Sequence, residues 1–554
     1  MNRVTNIRNL TKWLLLAAAI LASGCGGGGS SSSTTTPNPP PVASLPPPGA
    51  PLVRASGPSP YPSSCGGAMA GSVNYEDAEV EPYVAVNPTN SANVIGIWQQ
   101  DRWSDGGAHG LVTGRSLDGG KTWSEQPLDL SVCGGGNSGN GGDYARASDP
   151  WVTFSPNGVA YVISISFSGA SMTAGSLSSV LVSRSADGGV TWSNPATLIL
   201  DGASAFNDKE TITADPNNSN YVYAVWDRLD TTGHGPAYFA RSTDGGSTWQ
   251  AAVPIYDPGV NNQTIGNEIV GLPDGSIVDV FEEIDSASGN NATTAIKVIR
   301  SIDHGATWSA PVSVAADLSV GTRDPNTGNP VRDGGFLPQM AAGAGGKLAA
   351  VWQDSRFSNG QHDGIALSQS SDDGQTWSAP VEINAAPSVE AFTPSVAVLA
   401  DGTIGVSYFD FRNNTSNPAQ LITDYWFTSS TDGVHWSEQH ISGPFDLDLA
   451  PNAEGLFLGD YQALTVIGQA FVPFFVQTNN QGTANPTDSY VLPPQPVPLT
   501  LSRRITNAAL PAPANSQLDS VARKRMQEHI QQFLRGEIPG WKEFLERRLK
   551  TSQP

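Results

Sequence analysis

The side chains able to do chemistry fall into two series of short runs. Acid–arginine pairs stand at Asp101-Arg102, Asp227-Arg228, Asp354 to Arg356 and Asp410 to Arg412, and Glu282-Glu283 takes the same place in one further segment. The second series reads Glu81-Pro82, Asp149-Pro150, Asp208-Lys209-Glu210, Asn267-Glu268, Pro338-Gln339, Thr393-Pro394 and Gly459-Asp460-Tyr461. Guanidinium groups suit bidentate capture of a carboxylate, and a nearby acid controls the protonation of a leaving group. A pair that recurs segment after segment also has a plain structural use as a local ion pair. The functional signal is therefore expected where the repeat breaks, at Glu282-Glu283 and Asp460-Tyr461.

The elements that must position these runs come from a repeat. Five segments fit Ser-x-Asp-x-Gly-x-Thr-Trp: Ser116–Trp123, Ser185–Trp192, Ser242–Trp249, Ser301–Trp308 and Ser370–Trp377. A sixth, Ser430–Trp436, is one residue shorter. In each box the acid (Asp118, Asp187, Asp244, Asp303, Asp372, Asp432) and the glycine make a tight hairpin turn, and the Trp (Trp123, Trp192, Trp249, Trp308, Trp377, Trp436) is expected to fold beneath it. Nothing in the motif is reactive, so these twelve residues are structural. Four strand-like runs fill each unit of about sixty residues, which is the arrangement of a propeller blade.

The expected fold is all-β, a propeller of about seven four-stranded blades, with six as the alternative. A seventh sheet is assembled from 459–468, 471–477 and 489–492, and a strand near Leu52–Arg54 could complete it and close the ring. Closure matters because an open ring exposes strand edges. Strand alternation puts the boxes on one face and the two chemical series on the opposite rim of the central channel.

The ends of the chain read differently. Arg3, Arg8 and Lys12 precede a short apolar run, 13–22, and then Leu21-Ala22-Ser23-Gly24-Cys25. This is a signal peptide over 1–24 ending at a lipobox, with Cys25 lipidated and the protein anchored to the cell envelope, at the outer membrane. A low-complexity Gly/Ser/Thr/Pro tether follows over 25–71, the propeller occupies 72–497, and 498–554 is a helical extension with a basic polar face. Its helix is expected over 515–549, broken at Gly536 and Pro539. Cys65 and Cys133 are expected to form a disulfide in this exported chain.

The net charge of −22 excludes nucleic acid as a natural partner. The chain has no phosphate loop, no metal-spaced His cluster and no Ser-His-Asp arrangement, so neither cofactor nor metal is expected. A monomer bound to a glycan or an envelope protein is the expected state.

The boxes resemble the Asp boxes of bacterial sialidases, the BNR-repeat proteins, over roughly residues 72–497. That resemblance implies an exo-α-sialidase-like glycosidase in which arginines clamp the substrate carboxylate: Arg102, Arg356 and Arg412, with Arg228 in the same series. It implies Asp101 as acid/base, Tyr461 as nucleophile, and Glu268 or Glu282 as the partner of the tyrosine. The chain lacks an Arg-Ile-Pro segment before the first box, and the candidate arginines belong to the repeated pairs. Sialidase activity, another glycosidase or lyase activity, and non-catalytic binding of a glycan or protein all remain open on the sequence.

Overall fold

A computed structural model describes residues 51–286, 292–479, 485–494, 505–511 and 518–537. The signal segment and Cys25 lie outside the described residues, as does the 541–549 stretch. The described chain is all-β apart from short 3-10 turns and one helix, α1 (Ser520–Glu537). No described helix is long and apolar enough to cross a membrane.

Seven four-stranded antiparallel units follow one another among the described residues. The first comprises Glu79–Val86, Val94–Arg102, Ala108–Ser116 and Ser124–Pro127. The inner strands of the next five are Arg146–Phe154, Ala205–Ala214, Asn262–Gly271, Gln339–Ala342 and Ala391–Val398. In the seventh, Ala463–Ile467, Ala470–Thr478 and Thr487–Val491 are completed by Val53–Arg54, which pairs with Val491 and Tyr490. The first and second units share one ladder through Ala108 and Ala147.

Each box closes its hairpin as local chemistry requires. Asp118 accepts from the Lys121 and Thr122 amides at 3.0 and 2.9 Å and from the Thr122 hydroxyl at 2.8 Å, while Ser116 Oγ accepts from Gly120 N at 2.8 Å. The turn glycine sits at a positive φ of 90°, where a Cβ would be strained. The tryptophans depart from the expectation. Trp436, whose strand is paired on its outer edge by Ile505–Ala508, is fully buried, and the other five are half-buried.

The 498–554 extension also differs from the all-helical reading. Ile505–Ala508 and Leu510–Pro511 add fifth strands to the outer edges of the sixth and fifth units. An open edge offers unpaired amides and carbonyls, and the β-branched Ile505-Thr506 suits that role better than a helix. Helix α1 then lays Leu518, Ala522, Met526, Ile530 and Phe533 into one apolar cluster with Val320, Phe336, Leu337 and Tyr461. Cys65 and Cys133 are joined as a disulfide with Cα atoms 5.9 Å apart, tying the N-terminal segment to the first unit.

Candidate functional site

A repeated bulge aims the inner strands at the centre. The ladder shifts register between Val80 and Tyr83, Ser148 and Trp151, Asp208 and Thr211, Ile265 and Glu268, and Phe392 and Ser395. At each shift one residue takes a positive φ: Glu81 at 53°, Asp149 at 52°, Lys209 at 48°, Gly266 at 68° and Thr393 at 50°. Such a bulge turns a side chain out of the pleat, and a proline tolerates the lost ladder bond, which accounts for Glu81-Pro82, Asp149-Pro150 and Thr393-Pro394.

The charged members of this series meet. Lys209 Nζ lies 2.5 Å from Asp149 Oδ1, 3.0 Å from Asp460 Oδ2 and 3.4 Å from Glu81 Oε1. Arg332 grips the same Asp460 with Nε at 3.0 Å and Nη2 at 2.5 Å. Gln99 donates to Glu81 and accepts from Arg102 Nη1 at 2.8 Å. The guanidiniums of Arg102 and Arg332 both stand over the Phe457 ring, at 4.7 and 4.4 Å. All six ionisable groups are buried, three acids against three bases. Burial and the adjacent Asp149 raise the Glu81 carboxyl to about 8 against the opposing pull of Lys209.

Beside the network lies a cavity of about 30 Å³, lined by Trp151, Lys209, Glu210, Glu268, Leu337 and Tyr461. That is room for a water molecule and no more. Burial holds Glu268 at about 8, opposed by the Met340 amide donating to it at 3.1 Å, and burial also raises Glu210. The Tyr461 hydroxyl donates to the Pro150 carbonyl at 3.0 Å, and its ring meets Trp151 edge-on at 5.2 Å. Trp151 is itself stacked on Tyr83 at 3.4 Å.

Of the residues singled out in the sequence, Tyr461 and Glu268 share this cavity and Arg102 joins the network. The others stand elsewhere. Arg228 forms a bidentate pair with Asp201 at 2.8 and 2.6 Å. Arg356 is held by Asp354 at 2.8 and 2.5 Å and donates to the Ala316 carbonyl. Arg412 binds Asp410 and Glu438, each at 2.5 Å, and lies 3.6 Å over the Trp426 ring. None of these three has an axial residue among its bonded partners.

Asp101 accepts from Ser59 and from the Asp77 amide and faces His109 Nδ1 at 3.0 Å. Glu282 is buried beside Asp317 and Asp354, and burial first, then those acids, raises its carboxyl well above the usual range. Lys209, Asp149 and Glu81 were visible only as strand starts, and Asp460 as a break in the repeat. Arg332 gave no sequence signal, because the connection that carries it has no counterpart in the other units.

Helix α1 secures that connection. His529 Nε2 meets Asp333 Oδ1 at 3.1 Å, His529 Nδ1 faces Ser319 Oγ at 3.2 Å, and Gln532 donates to the Glu454 carbonyl at 3.0 Å. Val331-Arg332 runs parallel to Leu456-Phe457, so the helix backs the loops that deliver Arg332 and Phe457 to the network.

A search of curated proteins finds no match. Among solved structures, the chain is similar to an uncharacterised protein from Dyadobacter fermentans, at 15% identity and a TM-score of 0.42, covering 65% of this chain and 99% of that one. A Hadza microbial sialidase aligns at 16% identity and a TM-score of 0.42, covering 74% and 75%. A Penicillium chrysogenum alpha-L-arabinanase complexed with arabinobiose aligns at 12% identity and a TM-score of 0.43, covering 81% and 99%. The BNR repeat-like domain family matches residues 290–465. The match takes in three of the six Asp-box hairpins, Ser301–Trp308, Ser370–Trp377 and Ser430–Trp436.

Proposed function

We propose that this chain is a lipid-anchored envelope protein, a propeller of seven blades that binds glycans and does not hydrolyse them at its axis. One observation carries the reading: Glu81, Asp149 and Asp460 are committed to a buried network around Lys209. Most glycosidases need two carboxyls flanking the bound sugar, and a sialidase needs a free tyrosine hydroxyl with an acid beside it. The cavity here holds about 30 Å³, and the Tyr461 hydroxyl is engaged by a backbone carbonyl. Three of the four arginines that would clamp a sugar acid, Arg228, Arg356 and Arg412, are satisfied by carboxylates of the protein, and Arg102 is held by Gln99.

The BNR repeat and the glycan-directed neighbours support glycans as the ligand class. The test is the Cys25→Ser chain, otherwise complete, applied to a glycan array and to a panel of fluorogenic glycosides. Retention of a glycan without turnover is expected. Turnover lost on Tyr461→Phe or Glu268→Gln would replace this reading with a hydrolase at the axial cavity.

A further inference from the structure

A second pocket lies away from the axial cavity, between α1 and the loops of the fifth and sixth units. It holds about 560 Å³, within the size range of small-molecule sites. Arg525 and Glu528 of α1 form one wall, and Arg323, His362, Glu390 and Phe411 come from four separate connections. Asn326 donates to the Thr415 carbonyl at 2.7 Å, joining the loop before the fifth unit to the rim of the sixth. Phe411, which lines the pocket, stands between Asp410 and Arg412, and Arg412 bonds to both Asp410 and Glu438.

The polar lining is matched in charge. Arg323 reaches Glu528 at 3.3 Å, and Arg525 lies 3.7 Å from Glu390. Asp324 is spent on its own loop, accepting from the Asn326 amide and the Thr327 hydroxyl. A phosphate, sulfate or sugar acid would meet no uncompensated cation here.

Hydrogen-bonding capacity remains. Arg525 donates through Nη1 to the Gln361 carbonyl at 2.5 Å, but its buried Nε–H has no acceptor among the described residues. His362 donates through Nε2 to the Pro387 carbonyl at 3.0 Å, which leaves Nδ1 as an acceptor. Burial, with Arg525 nearby, lowers the His362 pKa and keeps that imidazole neutral. Buried polar groups without partners are costly, so a ligand that supplies them is favoured. Phe411, Pro325 and Val389 add apolar surface to the same lining.

We propose that this pocket is the glycan site and that its ligand is an uncharged mono- or disaccharide. Vicinal hydroxyls both donate and accept, which fits an arginine donor beside a histidine acceptor, and a sugar's C–H groups fit the accessible apolar surface of Pro325 and Val389. The proposal rests on the glycan-binding reading above and makes α1 a wall of the binding site.

Isothermal titration of the complete Cys25→Ser chain with neutral hexoses, pentoses and their disaccharides, alongside sialic and glucuronic acids, tests it. A neutral sugar is expected to bind, with Kd at least tenfold weaker in Arg525→Met and in His362→Ala at unchanged Tm. The loop variant His362→Ala keeps the test alive should Arg525→Met loosen the helix. Glycan binding that both variants leave intact, or binding confined to the acidic sugars, overturns the pocket while the glycan reading stands. Binding of no sugar at all overturns both.

Discussion

Replacing Lys209 by Met probes the axial network directly. The ammonium is buried with three carboxylates within 3.4 Å, and its loss leaves Arg332 on Asp460 and Gln99 on Glu81 but nothing comparable on Asp149. Removing one partner of a buried ion pair costs about 3–5 kcal/mol, because the remaining charge stays uncompensated. That cost must depend on pH. A carboxyl stranded in the core takes a folded-state pKa above its unfolded value, so its stability contribution is present at low pH and lost as pH rises.

Each pH unit within that window is worth about 1.4 kcal/mol per extra proton bound. The variant is expected to lose about 4 kcal/mol at pH 8 and about 1 kcal/mol at pH 5. Adding Asp149→Asn should recover much of the loss at pH 8. Denaturant unfolding of the three proteins at both pH values measures this. A loss below about 1 kcal/mol at pH 8, or one equal at the two pH values, would refute the network as described.

The protein as a whole should be most stable on the acid side of neutrality. Burial raises Glu268 to about 8 and Asp227 and Asp410 to about 7, so their contribution is lost as pH climbs from about 4 to 8. Thr hydroxyl and amide donors lower Asp187, Asp244 and Asp303 to about 2, so theirs is lost only as pH falls below about 4. A higher Tm at pH 5 than at pH 8.5 is expected, and the reverse would contradict these burials. Trp436→Ala should cost about 3–5 kcal/mol and the half-buried Trp249→Ala about half that; equal unfolding midpoints for the two variants would show the burial difference to be immaterial. Cys25→Ser should move the protein from the membrane to the soluble fraction, and retention in the membrane would remove the lipid anchor. A chain starting at residue 60 lacks Val53–Arg54 and should expose the edge at Thr487–Val491, seen as a lower Tm and self-association on gel filtration.

What was legible in the sequence is what repeats locally. An Asp-box writes its turn within eight residues, so all six hairpins, their acids and the strand beside Tyr490 could be placed from the chain alone. The axial network could not, because its partners are remote: Lys209 and Asp460 are 251 residues apart, and Arg332 comes from a connection without repeats. The arginines that stood out did so by recurring, and recurrence did not mark a shared site: Arg356 and Arg412 pair with the acid of their own run, whereas Arg228 reaches Asp201 of the preceding unit. The strands over 505–511 went unread because an edge strand two to four residues long leaves no periodicity to detect.

The central claim is binding without hydrolysis, and one measurement meets it most directly. The complete Cys25→Ser chain is incubated with each glycan retained on the array, and the products are followed by mass spectrometry over a day at pH 5 and pH 7.5. The account predicts a recovered, intact glycan at both pH values. Stoichiometric release of a monosaccharide from the wild-type axis, absent in Tyr461→Phe, would contradict it.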